Sequence, residues 1–135
     1  MKNQLAQVSE FQNAFGQQVC STPTLVSQSL SSLRFLLMEE ENNEYIQACI
    51  DGDLVEVADA LADQLYILCG TILSHGMQDI IEKCFNEVQR SNMSKLDDDG
   101  YPIINGEKGV FDDTRPLGKI LKSSNFSEPN LKQFL

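Results

Sequence analysis

Six carboxylates at helical spacing dominate the middle of the chain: Glu40, Glu41 and Glu44, then Glu56, Asp59 and Asp63. Glu41 and Glu44 are spaced i, i+3 and Glu40 and Glu44 i, i+4, so a helix stacks them on one face. Glu56, Asp59 and Asp63 follow at i, i+3 and i+7 and form a second stripe. Like charges stacked in this way repel, and no Lys or Arg lies between Glu39 and Asp63 to relieve them. Carboxylates converging without a histidine make a hard, all-oxygen donor set, suited to Mg²⁺ or Mn²⁺.

Two helices must position these groups. The first leads in through Arg34-Phe-Leu-Leu-Met38, and the second spans about Leu54 to Ser74 and is apolar nearly all round. A helix of that composition is buried, so part of its acidic stripe is expected to face the interior, where an unpaired carboxylate costs several kcal/mol. Between them, Asp51-Gly52-Asp53 is a tight connection, with Gly52 as a stop and Asp53 as the next N-cap. The helices are therefore antiparallel neighbours, which would set Glu41 and Glu44 opposite Glu56 and Asp59. Asp53-x-x-Glu56 also fits a capping box, which would make Glu56 a helix-start device. Asp59 and Asp63 have no such explanation in mid-helix, where Asp is a poor helix former.

Around this pair the periodicity predicts helices at residues 5–19, about 24–50 and about 78–92, the last burying Ile80, Ile81, Cys84, Phe85 and Val88. Turn signals then recur from Asp97 onward, with short β segments expected at Ile103-Ile104 and Lys119–Leu121. The chain is expected to be a single all-α domain over residues 1–135, with a helical core at about 5–92 and an irregular or β-containing tail at 93–135. Its 135 residues suffice for one core.

Net charge is −10, unevenly distributed. Residues 1–89 hold Lys2, Arg34 and Lys83 against thirteen acids, while residues 90–135 hold seven cations and seven acids. An acidic body excludes nucleic-acid and anionic-membrane binding, which need basic surfaces. It admits a nucleotide bridged by a divalent ion. Cys20, Cys49, Cys69 and Cys84 lack metal-ligand spacing and read as reduced thiols. Residues 1–20 lack the apolar core of a signal peptide, and no apolar run is judged long enough to span a bilayer, so the expected location is cytoplasmic. His75 is the single histidine, which rules out a di-iron bundle built on two Glu-x-x-His pairs. Asp97–Asp99 is a turn rather than a calcium loop, because the twelfth loop position is Lys108.

The ordered set Glu40-Glu41-x-x-Glu44 and Glu56-x-x-Asp59, with Phe11–Gly16 before it and Arg90-Ser-Asn-Met-Ser-Lys95 after it, carries a family resemblance. It resembles the all-α nucleoside triphosphate pyrophosphohydrolases, which include MazG, the dimeric dUTPases and phosphoribosyl-ATP pyrophosphohydrolase. The resemblance implies hydrolysis between the α and β phosphates of a nucleoside triphosphate, in nucleotide-pool cleaning, with Mg²⁺ held by Glu41, Glu44, Glu56 and Asp59. Glu40 would orient or deprotonate the attacking water, or support the ligands from behind, and Asp63 would act behind the ligands or at an interface. Arg90 and Lys95 would meet phosphates and Asn92 the sugar or base, against a bland reading as a cationic helix end. A homodimer, or a dimer of dimers, would complete the bundle. The alternatives are phosphoribosyl-ATP hydrolysis and a non-catalytic acidic module that binds a basic partner.

Overall fold

The computed structural model describes residues 1–135, and they form an all-α chain of four helices with no strand. By contact pattern it divides into two compact units, Met1–Ile81 and Glu82–Leu135.

In the first unit, α1 (Lys2–Ala14) and α2 (Gln28–Asp51) both pack on α3 (Leu54–Ser74). The bounds of α3 are those its periodicity predicts. The helix expected at residues 5–19 instead stops at Ala14, because Gly16 turns left-handed (φ +67°). The amide of Gln17 then donates to the Gln12 carbonyl at 2.7 Å, closing the helix end. Beyond it the chain runs along the end of α3, where Cys20 N–H reaches the Leu73 carbonyl at 2.9 Å. The expected start of α2 near Thr24 also shifts, since Thr24 N–H is committed to the His75 carbonyl at 2.9 Å. Ser27 becomes the N-cap, its hydroxyl accepting from Leu30 N–H.

The core comprises Leu5, Val8, Cys69, Ile72 and Leu73, with Val19, Met77 and Ile81 packed against it. It lies at the C-terminal end of α3. Leu54, Val55, Leu61 and Leu68 are exposed on the rest of α3's surface, and Phe35, Leu36, Ile46 and Ile50 on α2. Contrary to the expectation of a buried stripe, Glu56, Asp59 and Asp63 are exposed as well. One copy of the chain supplies only α1 and α2 to pack on α3, too few neighbours to cover a helix apolar all round. A second correction follows, for α3 does have the length and apolarity of a bilayer span. The core helix of a globular protein meets the same test, and α3 packs on two neighbours.

The fourth helix, α4 (Ile81–Met93), begins at Ile81 rather than Gln78, and all of it after Ile81 belongs to the second unit. Phe85 and Val88 are exposed rather than buried. The segments expected as β meet only as one antiparallel bridge between Ile104 and Ile120, and a 3₁₀ turn at Leu131–Phe134 ends the unit. Its organiser is Asn105, 1 % exposed. The Asn105 side-chain amide donates to the carbonyls of Asp112, Arg115 and Pro116 at 2.8–3.1 Å and accepts from Asp112 N–H at 2.7 Å.

Candidate active site

Two polar ties register α2 against α3. Arg34 Nε donates to Thr71 Oγ1 at 3.1 Å and its Nη2 to the Ile67 carbonyl at 3.0 Å. Two turns away, Gln64 Nε2 donates to the Glu41 carbonyl and to Asn42 Oδ1, each at 3.3 Å. The guanidinium lies flat on α3 only because residue 70 is glycine, since a Cβ there would collide with Arg34 Nη2. This register brings the carboxylates of the two helices into one electrostatic neighbourhood.

Glu41 is its centre. Its Oε2 is buried and has no hydrogen-bond partner. Burial raises its pKa first, and the charges of Glu44, Asp63, Glu40 and Asp59 raise it further. Glu40, Glu41, Glu44, Asp59 and Asp63 therefore share one field with no cation paired into it. Glu56 does not appear among the charges felt by Glu41. Its capping alternative is only half realised. Asp53 Oδ1 caps Val55 and Glu56 N–H at 2.9 and 3.2 Å, but the return arm is absent. Asp53 N–H donates instead to the Ala48 carbonyl at 3.0 Å, sealing the end of α2 behind Gly52. That leaves the Glu56 carboxylate without a capping duty. In this single chain no three acids close to metal-binding distance of one another.

The residues predicted to bind substrate lie in the second unit. Arg90 makes a two-pronged pair with Glu87 (2.8 and 2.9 Å) and donates to Ser127 Oγ and the Glu128 carbonyl, so it fastens the tail to α4. With Arg90 and Asn130 N–H donating to it, the Glu87 carboxyl falls to a pKa of about 2. Lys95 Nζ donates to Asn92 Oδ1 at 2.8 Å. Lys95 also lines a cavity of about 600 Å³ with Asp112, Arg115, Lys119 and Lys122, a concentration of positive charge.

Residues 8–92, more than half of the chain, match the phosphoribosyl-ATP pyrophosphohydrolase family. The chain belongs to that family. It is thus a member of the MazG-like all-α nucleoside triphosphate pyrophosphohydrolase superfamily, and the family supports pyrophosphohydrolase chemistry. No curated protein matches the chain. The family segment contains the acidic neighbourhood and ends at Asn92, ahead of Lys95 and the basic cavity.

Sequence reasoning passed over two residues of this unit. Arg34 is the one cation between Lys2 and Lys83, and it falls on the apolar stripe of α2 beside Leu30 and Leu37. Gln12 continues the Leu5, Val8 stripe of α1 at i+4 and is 1 % exposed. A polar group on an apolar stripe was the available signal in both cases.

Proposed function

We infer that the chain hydrolyses a nucleoside triphosphate between its α and β phosphates, releasing the monophosphate and pyrophosphate, with a divalent cation as cofactor. The observation that carries the reading is Glu41, whose buried oxygen lacks a partner while four further carboxylates crowd its field. An isolated buried carboxylate oxygen is costly, and a cation would offset that cost. The donor set is all oxygen, which fits Mg²⁺ or Mn²⁺. Glu41, Glu44, Glu56 and Asp59 are assigned as its ligands, with Asp63 supporting them. Such an ion, when bound, neutralises phosphate charge and lowers the pKa of water.

The remaining work falls to side chains. Glu40 is exposed at the rim of the acidic field and orients the attacking water or takes its proton. Lys95 is assigned to the phosphates and Asn92 to sugar or base, while Arg90 is occupied by Glu87 and acts through the tail it holds. A second copy of the chain is the natural cover for the exposed apolar residues of α2 and α3, giving a homodimer or a dimer of dimers. The family match runs from α1 to the end of α4, which favours treating the chain as one functional domain.

A second reading has its own support: the matched family is described as phosphoribosyl-ATP pyrophosphohydrolase, so that compound is a rival substrate. Rates for a panel of canonical and damaged triphosphates and phosphoribosyl-ATP, each with Mg²⁺, separate the two. Preference for the phosphoribosyl compound by tenfold or more would replace the house-cleaning role with the biosynthetic one. Release of no pyrophosphate from any of them would remove the enzymatic reading.

A further inference from the structure

The basic cavity of about 600 Å³ lies wholly in the second unit. Its charged wall is Lys95, Arg115, Lys119 and Lys122 with one carboxylate, Asp112. Four of the eight cations of residues 82–135 therefore share one space. None of the acids assigned to the metal lines it, and every lining residue follows Asn92, where the family match ends.

Little of this positive charge is compensated by the protein. Neither Arg115 nor Lys119 makes a side-chain hydrogen bond or a salt bridge. Asp112 feels the charge of Arg115, but its Oδ1 is already committed, accepting from Thr114 N–H at 2.9 Å and from Thr114 Oγ1 at 2.6 Å. Lys95 Nζ donates to the Asn92 amide oxygen at 2.8 Å, a neutral partner that leaves its charge unbalanced. Lys122 alone reaches a carboxylate, Glu128 at 3.4 Å, and both side chains are exposed, so water screens the pair. The backbone beneath these cations is nevertheless fixed. The buried Asn105 side chain donates to the carbonyls of Arg115 and Pro116, and Asn105 N–H donates to the Lys119 carbonyl at 2.9 Å. Gly118 N–H returns to the Asn105 carbonyl at 2.9 Å. One buried residue thus holds in place the two cations that have no partner of their own. Like charges gathered in this way repel, and an anion that joins them meets donors already in position.

We propose that this cavity binds an oligophosphate, a chain of two or more linked phosphates, with Arg115 offering a planar fork and Lys95, Lys119 and Lys122 acting as point charges around it. Four cations against one carboxylate leave 4 − 1 = 3 positive charges. A single phosphate group carries about two negative charges at neutral pH, so it leaves the site unbalanced where a linked pair does not. The volume agrees, since it falls within the range of roughly 300–1,000 Å³ typical of small-molecule sites. Arginine selects phosphate through paired, parallel hydrogen bonds. The inference goes beyond the hydrolytic reading, which uses only Lys95 among these residues, and it needs neither metal nor turnover.

The experiment titrates the full-length chain by calorimetry, in EDTA and at constant ionic strength, with orthophosphate, pyrophosphate, tripolyphosphate, adenosine triphosphate and citrate. EDTA removes any metal, so the acidic field cannot hold these anions. Pyrophosphate and tripolyphosphate are expected to bind at least tenfold more tightly than orthophosphate or citrate. Arg115→Gln and Lys119→Gln are each expected to weaken tripolyphosphate about tenfold or more at unchanged melting temperature, because neither side chain has a partner within the fold. Lys132→Gln, at a tail cation outside the cavity, and Glu41→Gln, in the acidic field, are expected to leave that affinity unchanged. Adenosine triphosphate binding as tightly as tripolyphosphate would identify the ligand as a nucleotide's phosphate chain, and weaker binding would identify a free oligophosphate; either result upholds the site. No binding of the two oligophosphates, equal affinity for citrate, unchanged affinity in Arg115→Gln or Lys119→Gln, or loss of affinity in Glu41→Gln overturns the proposal and leaves the hydrolytic reading standing. Oligophosphate binding in a chain that releases no pyrophosphate from any triphosphate would do the reverse.

Discussion

Residues 1–81 carry two cations against eleven acids, and residues 82–135 carry eight against nine. The first unit is three long helices whose backbone bonds are internal. The second has one α-helix and a 3₁₀ turn, and its irregular remainder is held by turn-type backbone bonds together with side chains bonding to backbone, with Asn105 at the centre. In the first, charge is concentrated in excess of what the fold can neutralise. In the second, cations line an open cavity, and Asn105 holds the loop that carries Arg115. The contrast teaches that the two regions are under different constraints. Repulsion among acids is tolerated only where long helices fix the backbone regardless, and irregular chain needs a satisfied buried polar hub.

The largest effect expected from breaking this contrast is on turnover. Glu41→Gln keeps the shape but removes the carboxylate at the centre of the acidic field, and should lower kcat on the order of a thousandfold. The same change should raise stability at neutral pH. Because the Glu41 pKa is raised in the folded state, the folded chain holds that proton more tightly than the unfolded one. Wild-type stability therefore declines as pH rises from the ordinary carboxylate pKa through the folded value, and Glu41→Gln should flatten that decline. Paired measurements of kcat and of unfolding free energy against pH check both parts. Loss of activity together with loss of fold would make Glu41 structural.

Asn105→Ala attacks the other unit. Four hydrogen bonds at roughly 0.5–1.5 kcal/mol each are removed, for an expected cost of about 2–6 kcal/mol. Amide exchange should accelerate across residues 103–121 and hold steady through α2 and α3. Uniform acceleration along the chain would erase the distinction between the units.

Metal addition comes next. A divalent ion that binds only the folded chain adds about 2.7 kcal/mol at a hundredfold excess over Kd. Melting in EDTA and then in Mg²⁺ or Mn²⁺ should show the gain in wild type and its loss in Asp59→Asn. Equal gains in both proteins would locate the ion elsewhere.

The smallest change expected is from Lys95→Ala, at about ten- to a hundredfold in kcat/KM, the equivalent of one charged hydrogen bond. Metal affinity without nucleotide should hold. A kcat/KM within twofold of wild type would return Lys95 to its bond with Asn92 and the walls of the basic cavity.

Much of the first unit was legible because its signals are periodic. The bounds of α3, the turn at Gly52 and the N-cap at Asp53 follow from spacing and from residue types with one strong preference. Helix ends decided by distant partners were not legible. Thr24 looked helical until His75 claimed its amide, and residues 17–19 until Gly16 turned the chain. The exposure of Glu56, Asp59 and Asp63 was not legible, because an apolar helix signals burial without saying how much of its cover one chain supplies. Asn105 could not be found, since its three partner residues lie 7 to 11 positions away in an aperiodic loop. At the candidate site the acids announced themselves, whereas Gln12 and Arg34 were hidden among apolar neighbours.

The central claim is that this acidic helix pair cleaves a triphosphate between its α and β phosphates. ³¹P NMR of the products, with wild type and Glu41→Gln run side by side in Mg²⁺, tests it most directly. The account predicts equal amounts of nucleoside monophosphate and pyrophosphate from wild type, and neither from the variant on the same timescale. Orthophosphate with nucleoside diphosphate, or equal product from both proteins, would contradict it.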